Sequence, residues 1–248
     1  REKKVTLLSI DIGYLDNFSE VEFLNLKMQN DDKIYISYNQ VHKLTKETVE
    51  RYRINENYKP DLMIAIGGGG FIPARILRTF LKRQNNKNIP IQAIGLSLYE
   101  DLADSSLDPE IIGSQVIKTQ WLHFGPSYAD TCPLLGKNIL IVDEVDDTRT
   151  TLAYAVQELL KDIEEEKRKF IEVNAAGTPV PETKLAVFVL HNKKKEKRME
   201  LPDPSIVNEG RYFAAEETPD RWLVYPWDAI DIDEHTIISS LQENPKKE

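Results

Sequence analysis

A single cysteine, Cys132, stands in the 248 residues. Neither an intrachain disulfide framework nor a cysteine metal cluster can be built from it, and the chain suits a reducing compartment. Basic charge is also scarce, with 32 Lys and Arg against 41 Asp and Glu and a formal net charge of -9. That balance disfavours nucleic acid as a partner and leaves room only for a local basic pocket that takes anionic substrates. No apolar run approaches the roughly 20 residues of a membrane span. The apolar stretch Val5 to Ile10 behind Arg1-Glu2-Lys3-Lys4 is too short for a secretory signal. A cytosolic protein without a membrane partner is expected. Glycine is sparse too, at 11 residues, yet four of them are consecutive, Gly67-Gly68-Gly69-Gly70.

What is present is a set of short, uninterrupted apolar runs, Leu62 to Ile66, Ile139 to Val142 and Leu185 to Leu190, with Ile89 to Leu98 reading as a further strand. Such runs suit strands buried on both faces of a parallel sheet. Between them lie segments of helical spacing: Gln40 to Arg53 (core candidates Val41, Leu44, Val49, Tyr52), Phe71 to Arg83 (Ile72, Ile76, Leu77, Phe80, Leu81) and Thr150 to about Phe170. Val116 to Phe124, with Trp121, reads as a further strand. The length allows one large α/β domain, a central parallel sheet flanked by helices.

The organising stretch is Ile139-Leu140-Ile141-Val142-Asp143-Glu144-Val145-Asp146-Asp147-Thr148-Arg149-Thr150-Thr151-Leu152. A buried strand ends in two adjacent acids and turns into the N-terminus of a helix. Carboxylates accept hydrogen bonds from a sugar diol. The amides and Thr hydroxyls of the turn, at the positive end of a helix dipole, suit a phosphate. A lone Asp or Thr there is more often just a helix cap; diol and phosphate sites in sequence describe a ribose 5-phosphate. The glycine run between a strand and a helix is a second anion-binding arrangement. It fits neither the dinucleotide fingerprint, whose third glycine position falls on Ile72 or Pro73, nor a Walker loop.

These fourteen residues resemble the phosphoribosyl-pyrophosphate (PRPP) signature of the type I phosphoribosyltransferases, departing from it in three places. The acids run Asp-Glu rather than Glu-Asp, Asp146 replaces a common aliphatic spacer, and Arg149 stands where Gly is frequent. Arg149 is a poor residue for positive φ, but its guanidinium offers a charge-assisted contact to phosphate. The block Thr218-Pro219-Asp220-Arg221-Trp222-Leu223-Val224-Tyr225-Pro226-Trp227-Asp228 resembles the base-binding hood of the 6-oxopurine members. The likeness covers roughly Lys33 to Thr236 and is strongest to the fungal enzymes.

The resemblance implies a type I phosphoribosyltransferase fold with a small C-terminal hood, and transfer of ribose 5-phosphate from PRPP to a purine in purine salvage. Xanthine is the expected base, hypoxanthine or guanine the alternative, and a non-catalytic PRPP-sensing protein the rival reading. It implies Asp143 and Glu144 at the ribose hydroxyls, Asp147 as general acid/base, and Asp147, Thr148, Arg149, Thr150 and Thr151 around the 5-phosphate. Gly68 and Gly69 would meet pyrophosphate; Trp222, Leu223 and Asp228 would meet the base, and His191 or Lys193 its 6-oxo group. Tyr99 would open the flexible loop, which spans about residues 100–113. Magnesium (Mg2+) is expected, held mainly through substrate rather than by a protein cage. A homo-oligomer, commonly a dimer, follows from the same likeness. Residues 1–32 are expected to be an extension of unassigned role, 33–236 the catalytic domain with its hood mainly in 200–236, and 237–248 a tail. Because the chain opens on Arg1, Met28 is a candidate native start. The run Lys193-Lys194-Lys195-Glu196-Lys197-Arg198 is expected to be a solvated loop.

Overall fold

The computed structural model describes residues 32–81, 87–98, 116–124 and 133–243. The readings made for residues 1–27, Met28, Tyr99 and 100–113 lie outside these.

The chain divides into two compact units, and the larger takes residues 39–220. Its six-stranded sheet has the order β4-β3-β2-β5-β6-β7, where β2 is Leu62–Gly67, β3 Ile91–Leu98, β4 Val116–Gln120, β5 Asn138–Asp146, β6 Lys184–Lys193 and β7 Tyr212–Thr218. All pairs are parallel except β3 with β4, so the expected parallel sheet is a mixed one with an antiparallel edge strand. Centrality explains the apolar runs. Leu62 to Ile66, Ile139 to Val142 and Leu185 to Leu190 are all buried, because neighbouring strands flank them and helices cover both faces.

The helices are α1 (Tyr38–Arg51), the single turn α2 (Ile54–Asn57), α3 (Phe71–Phe80), α4 (Thr150–Val173) and the single turn α5 (Ser205–Asn208). Leu152, Ala155, Val156, Leu159 and Ile163 of α4 join Ile64, Ile139, Ile141 and Val187 in one apolar cluster. Beyond that stripe α4 is charged, with the expected spacing of pairs: Lys169 Nζ lies 2.8 Å from Glu165 Oε1. α3 packs on β2 and β5 and buries Ala74 and Leu77. Ile72, an inward candidate, is instead exposed in the first turn of α3. In α1, Val41 and Val49 are buried as expected, but Thr45 and Thr48 join them, while Leu44 and, in the turn after the helix, Tyr52 are only half-buried. Each threonine hydroxyl donates to the carbonyl four residues back, Thr45 to Val41 at 2.7 Å and Thr48 to Leu44 at 2.6 Å. The buried hydroxyl is thereby satisfied.

The edge strand β4 stops at Gln120, short of Trp121. Trp121 Nε1 donates to Asp162 Oδ2 of α4 at 2.6 Å, and Lys118 pairs with Glu158. These contacts tie the strand and the residue after it to α4, in addition to the pairing of β4 with β3.

The smaller unit holds residues 32–38 and 221–243. Here β1 (Lys33–Tyr35) pairs in parallel with β8 (Trp222–Val224). A 3-10 turn at Pro226–Asp228 leads to α6 (Ile232–Glu243), whose first turn is capped by Asp231 Oδ1 accepting from the amides of Asp233 and Glu234. The helix runs on past residue 236.

Candidate active site

The C-terminal ends of β2 and β5 and the N-terminus of α4 enclose one cavity of about 650 Å3. The ligand crevice of an open α/β sheet lies at this edge, beyond the strand ends. Gly67, Gly68 and Gly69 line it from one side, Asp143 to Leu152 from another, and Lys195 and Arg198 close it. Both anion-binding stretches anticipated from sequence therefore face the same space. Glu144 reaches across to the glycine loop, and its carboxylate occupies the place that a Cβ on residue 69 would need.

The acids differ in electrostatic state. Burial pushes the Asp143 carboxyl well above the usual carboxylate range, and the charges of Glu144 and Asp146 push it further. Its Oδ1 accepts from the Glu144 amide at 2.9 Å, which offsets only part of this. Asp147 behaves oppositely. Burial alone would raise it, but hydrogen bonds and charge from Lys195 and Lys193 hold it below the usual range. Lys195 Nζ lies 2.9 Å from Asp147 Oδ1 and Lys193 Nζ 3.5 Å from Oδ2. Asp220 shares both lysines, at 3.0 Å and 3.7 Å.

The run from Lys193 to Arg198 is solvated only in part: Lys194, Glu196 and Arg198 are exposed, while Lys193, Lys195 and Lys197 turn to the acids. Lys193 is buried in the last position of β6, and Lys197 Nζ donates to the carbonyls of Asp146 (2.7 Å), Asp147 (2.9 Å) and Lys193 (3.1 Å). The Arg198 amide donates to Thr148 O at 3.0 Å. Sequence reasoning missed Lys195, Lys197, Arg198 and Asp220. The signal was adjacency: β6 pairs with β5 in parallel, Val145 opposite His191 and Asp146 opposite Asn192, so whatever follows β6 emerges beside the acids that end β5.

Arg149 departs from expectation in another way. It adopts the left-handed conformation, φ 68° and ψ 3°, as the residue before α4. For a residue with a Cβ this costs about 1–2 kcal/mol. Its guanidinium pairs with Asp146, with Nε and Nη2 at 2.9 Å and 2.8 Å from Oδ2. Thr148 and Thr150 place their hydroxyls 3.0 Å apart within the turn.

His191 and Lys193 are also distinguished. Lys193 meets Asp147, whereas the His191 ring is wholly enclosed, and burial lowers its pKa to about 4. Glu216 Oε2 lies 3.8 Å from its Nε2. Above the ordinary value of 6.5 both folded and unfolded chains carry a neutral ring and nothing is lost. Between 6.5 and about 4 the unfolded chain takes up a proton that the folded one refuses, so stability falls as pH falls. From pH 7 to about pH 4.5 the parent should lose about 2–3 kcal/mol more than His191→Gln, read by denaturant unfolding at both pH values. Equal losses would contradict this reading.

In the smaller unit, Trp222 is 69% exposed, Leu223 is buried and Asp228 is exposed. Tyr225 and Trp227 stack with centroids 4.7 Å apart and planes 6° from parallel. Among the described residues, no three His, Cys, Asp or Glu side chains gather into a metal cage, and no helix is long and apolar enough to cross a membrane.

No family model matches the chain. It is 54% identical over 216 residues to xanthine phosphoribosyltransferase 1 of Saccharomyces cerevisiae, covering 87% of this chain and 99% of that one. It is 50% identical over 217 residues to the hypoxanthine-guanine phosphoribosyltransferase of the same yeast, covering 88% and 95%. Among solved structures, a Neisseria gonorrhoeae protein with bound ppGpp superposes with a TM-score of 0.62 at 37% identity, covering 85% of this chain and 97% of that one. The purine phosphoribosyltransferase of Pyrococcus horikoshii, at 22% identity and a TM-score of 0.51, shares the fold. With this identity along almost the full length of the yeast enzymes, the chain belongs to the type I 6-oxopurine phosphoribosyltransferases and has their α/β fold.

Proposed function

We propose that this protein is a purine-salvage glycosyltransferase that moves ribose 5-phosphate from PRPP to N9 of a 6-oxopurine, with xanthine preferred. The products are xanthosine 5'-monophosphate and pyrophosphate. The observation that carries the transferase reading is the shared cavity, in which the glycine loop and the Asp143–Leu152 turn face one another. The 54% identity to a xanthine enzyme supports the choice of base. The ppGpp held by a 37% identical structure supports a site for a purine with several phosphates.

On this reading Asp143 and Glu144 take the ribose hydroxyls, and the amides and hydroxyls of residues 147–151 take the 5-phosphate. The amides of Gly68 and Gly69 take pyrophosphate. Binding energy at the phosphate then aligns C1 with the base. The C1–O bond breaks with its electron pair leaving on pyrophosphate, N9 bonds to C1, and the proton released by the purine passes to Asp147. An ionised Asp147 is ready to accept it. Lys193 is the group we assign to the 6-oxo oxygen, with the enclosed His191 behind it. A Lys193 drawn to the base gives Asp147 up to Lys195 alone, which raises its basicity as substrate arrives. Trp222, an exposed indole, is assigned to stacking on the purine, Leu223 to backbone contacts with its edge and Asp228 to its ring N–H groups, on their chemistry alone.

Magnesium fits the acids present. Asp143 and Glu144 repel one another at the cavity wall, and a divalent ion held through the diol and pyrophosphate would offset that repulsion. When bound, such an ion supplies charge neutralisation for the departing pyrophosphate. A homodimer is proposed on the family likeness.

The test is nucleotide formation from PRPP with xanthine, hypoxanthine and guanine in parallel. The expected result is a kcat/KM for xanthine above both others by about tenfold or more, the lower end of what pocket contacts discriminate. A higher value for hypoxanthine or guanine would transfer the protein to the sister activity, which the 50% identity favours as the second reading.

A further inference from the structure

We infer that Asp146 is a positioning residue for the phosphate-binding turn: it anchors Arg149, so that residue 149 keeps the left-handed backbone that turns the chain from β5 into α4. The inference rests on the reading of residues 147–151 as the 5-phosphate site.

Asp146 and Arg149 each break the common form of the signature, an aliphatic spacer and a glycine, and in this structure they satisfy one another. The Asp146 side chain has no exposed surface, and that of Arg149 is 12% exposed. Besides the two Arg149 nitrogens, Asp146 Oδ2 accepts from Tyr212 Oη at 2.6 Å, and Oδ1 lies 3.5 Å from Lys197 Nζ. Tyr212 also offers its ring face, with the Arg149 guanidinium carbon 5.2 Å from the centroid. An enclosed carboxylate is kept at such a place only when its partners compensate for lost water. Here two guanidinium nitrogens and a phenol, from α4's start and β7, converge on Oδ2, while Oδ1 has no hydrogen-bond partner among the described residues and only the Lys197 ammonium, from the segment after β6, at ion-pair range.

The consequence appears in the backbone of the turn. With φ at 68°, Arg149 passes its carbonyl to the Ala153 amide at 2.9 Å, the first bond of α4. The carbonyls of Asp146 and Asp147 go to Lys197 and that of Thr148 to the Arg198 amide. The carbonyls of residues 146 to 149 are thus all engaged by protein donors. A turn whose acceptors are occupied elsewhere presents donors to the cavity, which is the polarity a phosphate requires. A glycine would reach the same conformation unaided. An arginine must be held there, and Asp146 holds it.

The test compares Asp146→Val, Arg149→Gly and the double variant, with Thr151→Ala reporting on the phosphate site itself. Calorimetric Kd for PRPP, KM, kcat and Tm are measured for each. Asp146→Val should raise Kd and KM for PRPP by about tenfold or more while kcat stays within about threefold, a split that general loss of folded protein does not produce. The double variant should return Kd to within about threefold of the parent, because a glycine no longer needs the anchor. Multiplying losses in the double variant would overturn the inference. So would weakened PRPP binding in Thr151→Ala with none in Asp146→Val. If neither Asp146→Val nor Thr151→Ala weakens PRPP binding, the phosphate-site reading itself fails, and the inference with it.

Discussion

Asp147→Asn is expected to lower kcat by about 10²–10⁴, the range attributed to a general acid–base group, while the Kd for PRPP stays within about threefold. The variant is nearly isosteric, and the neighbourhood survives it. Lys195 and Lys193 retain Asp220 as a shared partner at 3.0 Å and 3.7 Å, so removing one carboxylate charge strands neither lysine. What disappears is the proton acceptor. Asp147 is ionised well into acid, because the two lysines outweigh its partial burial and hold it below the ordinary 3.8. A rate loss with unchanged PRPP affinity is the mark of a group that acts in the transition state. A kcat within about threefold of the parent would remove Asp147 from the chemistry. Parallel losses of kcat and PRPP binding would make it a binding group instead.

Gly70→Ala should be the most damaging small change in the central sheet. A Cβ there would lie 2.5 Å from both Ile66 O and Val142 O and 3.1 Å from Ile66 N. All three are main-chain atoms of β2 and β5, the two central strands whose ends frame the cavity. A side chain could swing aside; these atoms cannot move without breaking the pairing of Leu62 to Ala65 with Ile139 to Val142. The expected cost lies at the upper end of overpacking, about 3 kcal/mol. That is about 6–12 °C in Tm for a chain of this size. Gly68→Ala is the control, since nothing lies within 4 Å of its added Cβ, and it should melt with the parent. Equal Tm values for Gly70→Ala and Gly68→Ala, by calorimetry, would contradict this account of the loop.

The parts of this molecule that local chemistry dictates were legible in its sequence. Leu62 to Ile66, Ile139 to Val142 and Leu185 to Leu190 announce buried strands, because no solvent-facing position interrupts them. Thr150 begins a helix, as the pattern after the acids requires. What escaped depends on contacts between distant segments. The run Lys193 to Arg198 reads as solvated by composition, and only the β5–β6 pairing places it against Asp146 and Asp147. Arg149 reads as unfit for a left-handed turn until Asp146 and the remote Tyr212 are placed around its guanidinium. Thr45 and Thr48 read as polar, yet each hides its hydroxyl in the helix's own carbonyls. Periodicity sees polarity and not its satisfaction.

The central claim is that one cavity joins PRPP and a purine for reaction rather than merely holding them. Purine-dependent release of pyrophosphate from PRPP, followed continuously with the parent protein and with Asp147→Asn, tests it most directly. The account predicts negligible release from PRPP alone, rapid release when a 6-oxopurine is added, and release slowed by about 10²-fold or more in the variant. Binding of PRPP without purine-dependent release in the parent protein would contradict it, and would leave a PRPP sensor on a transferase fold.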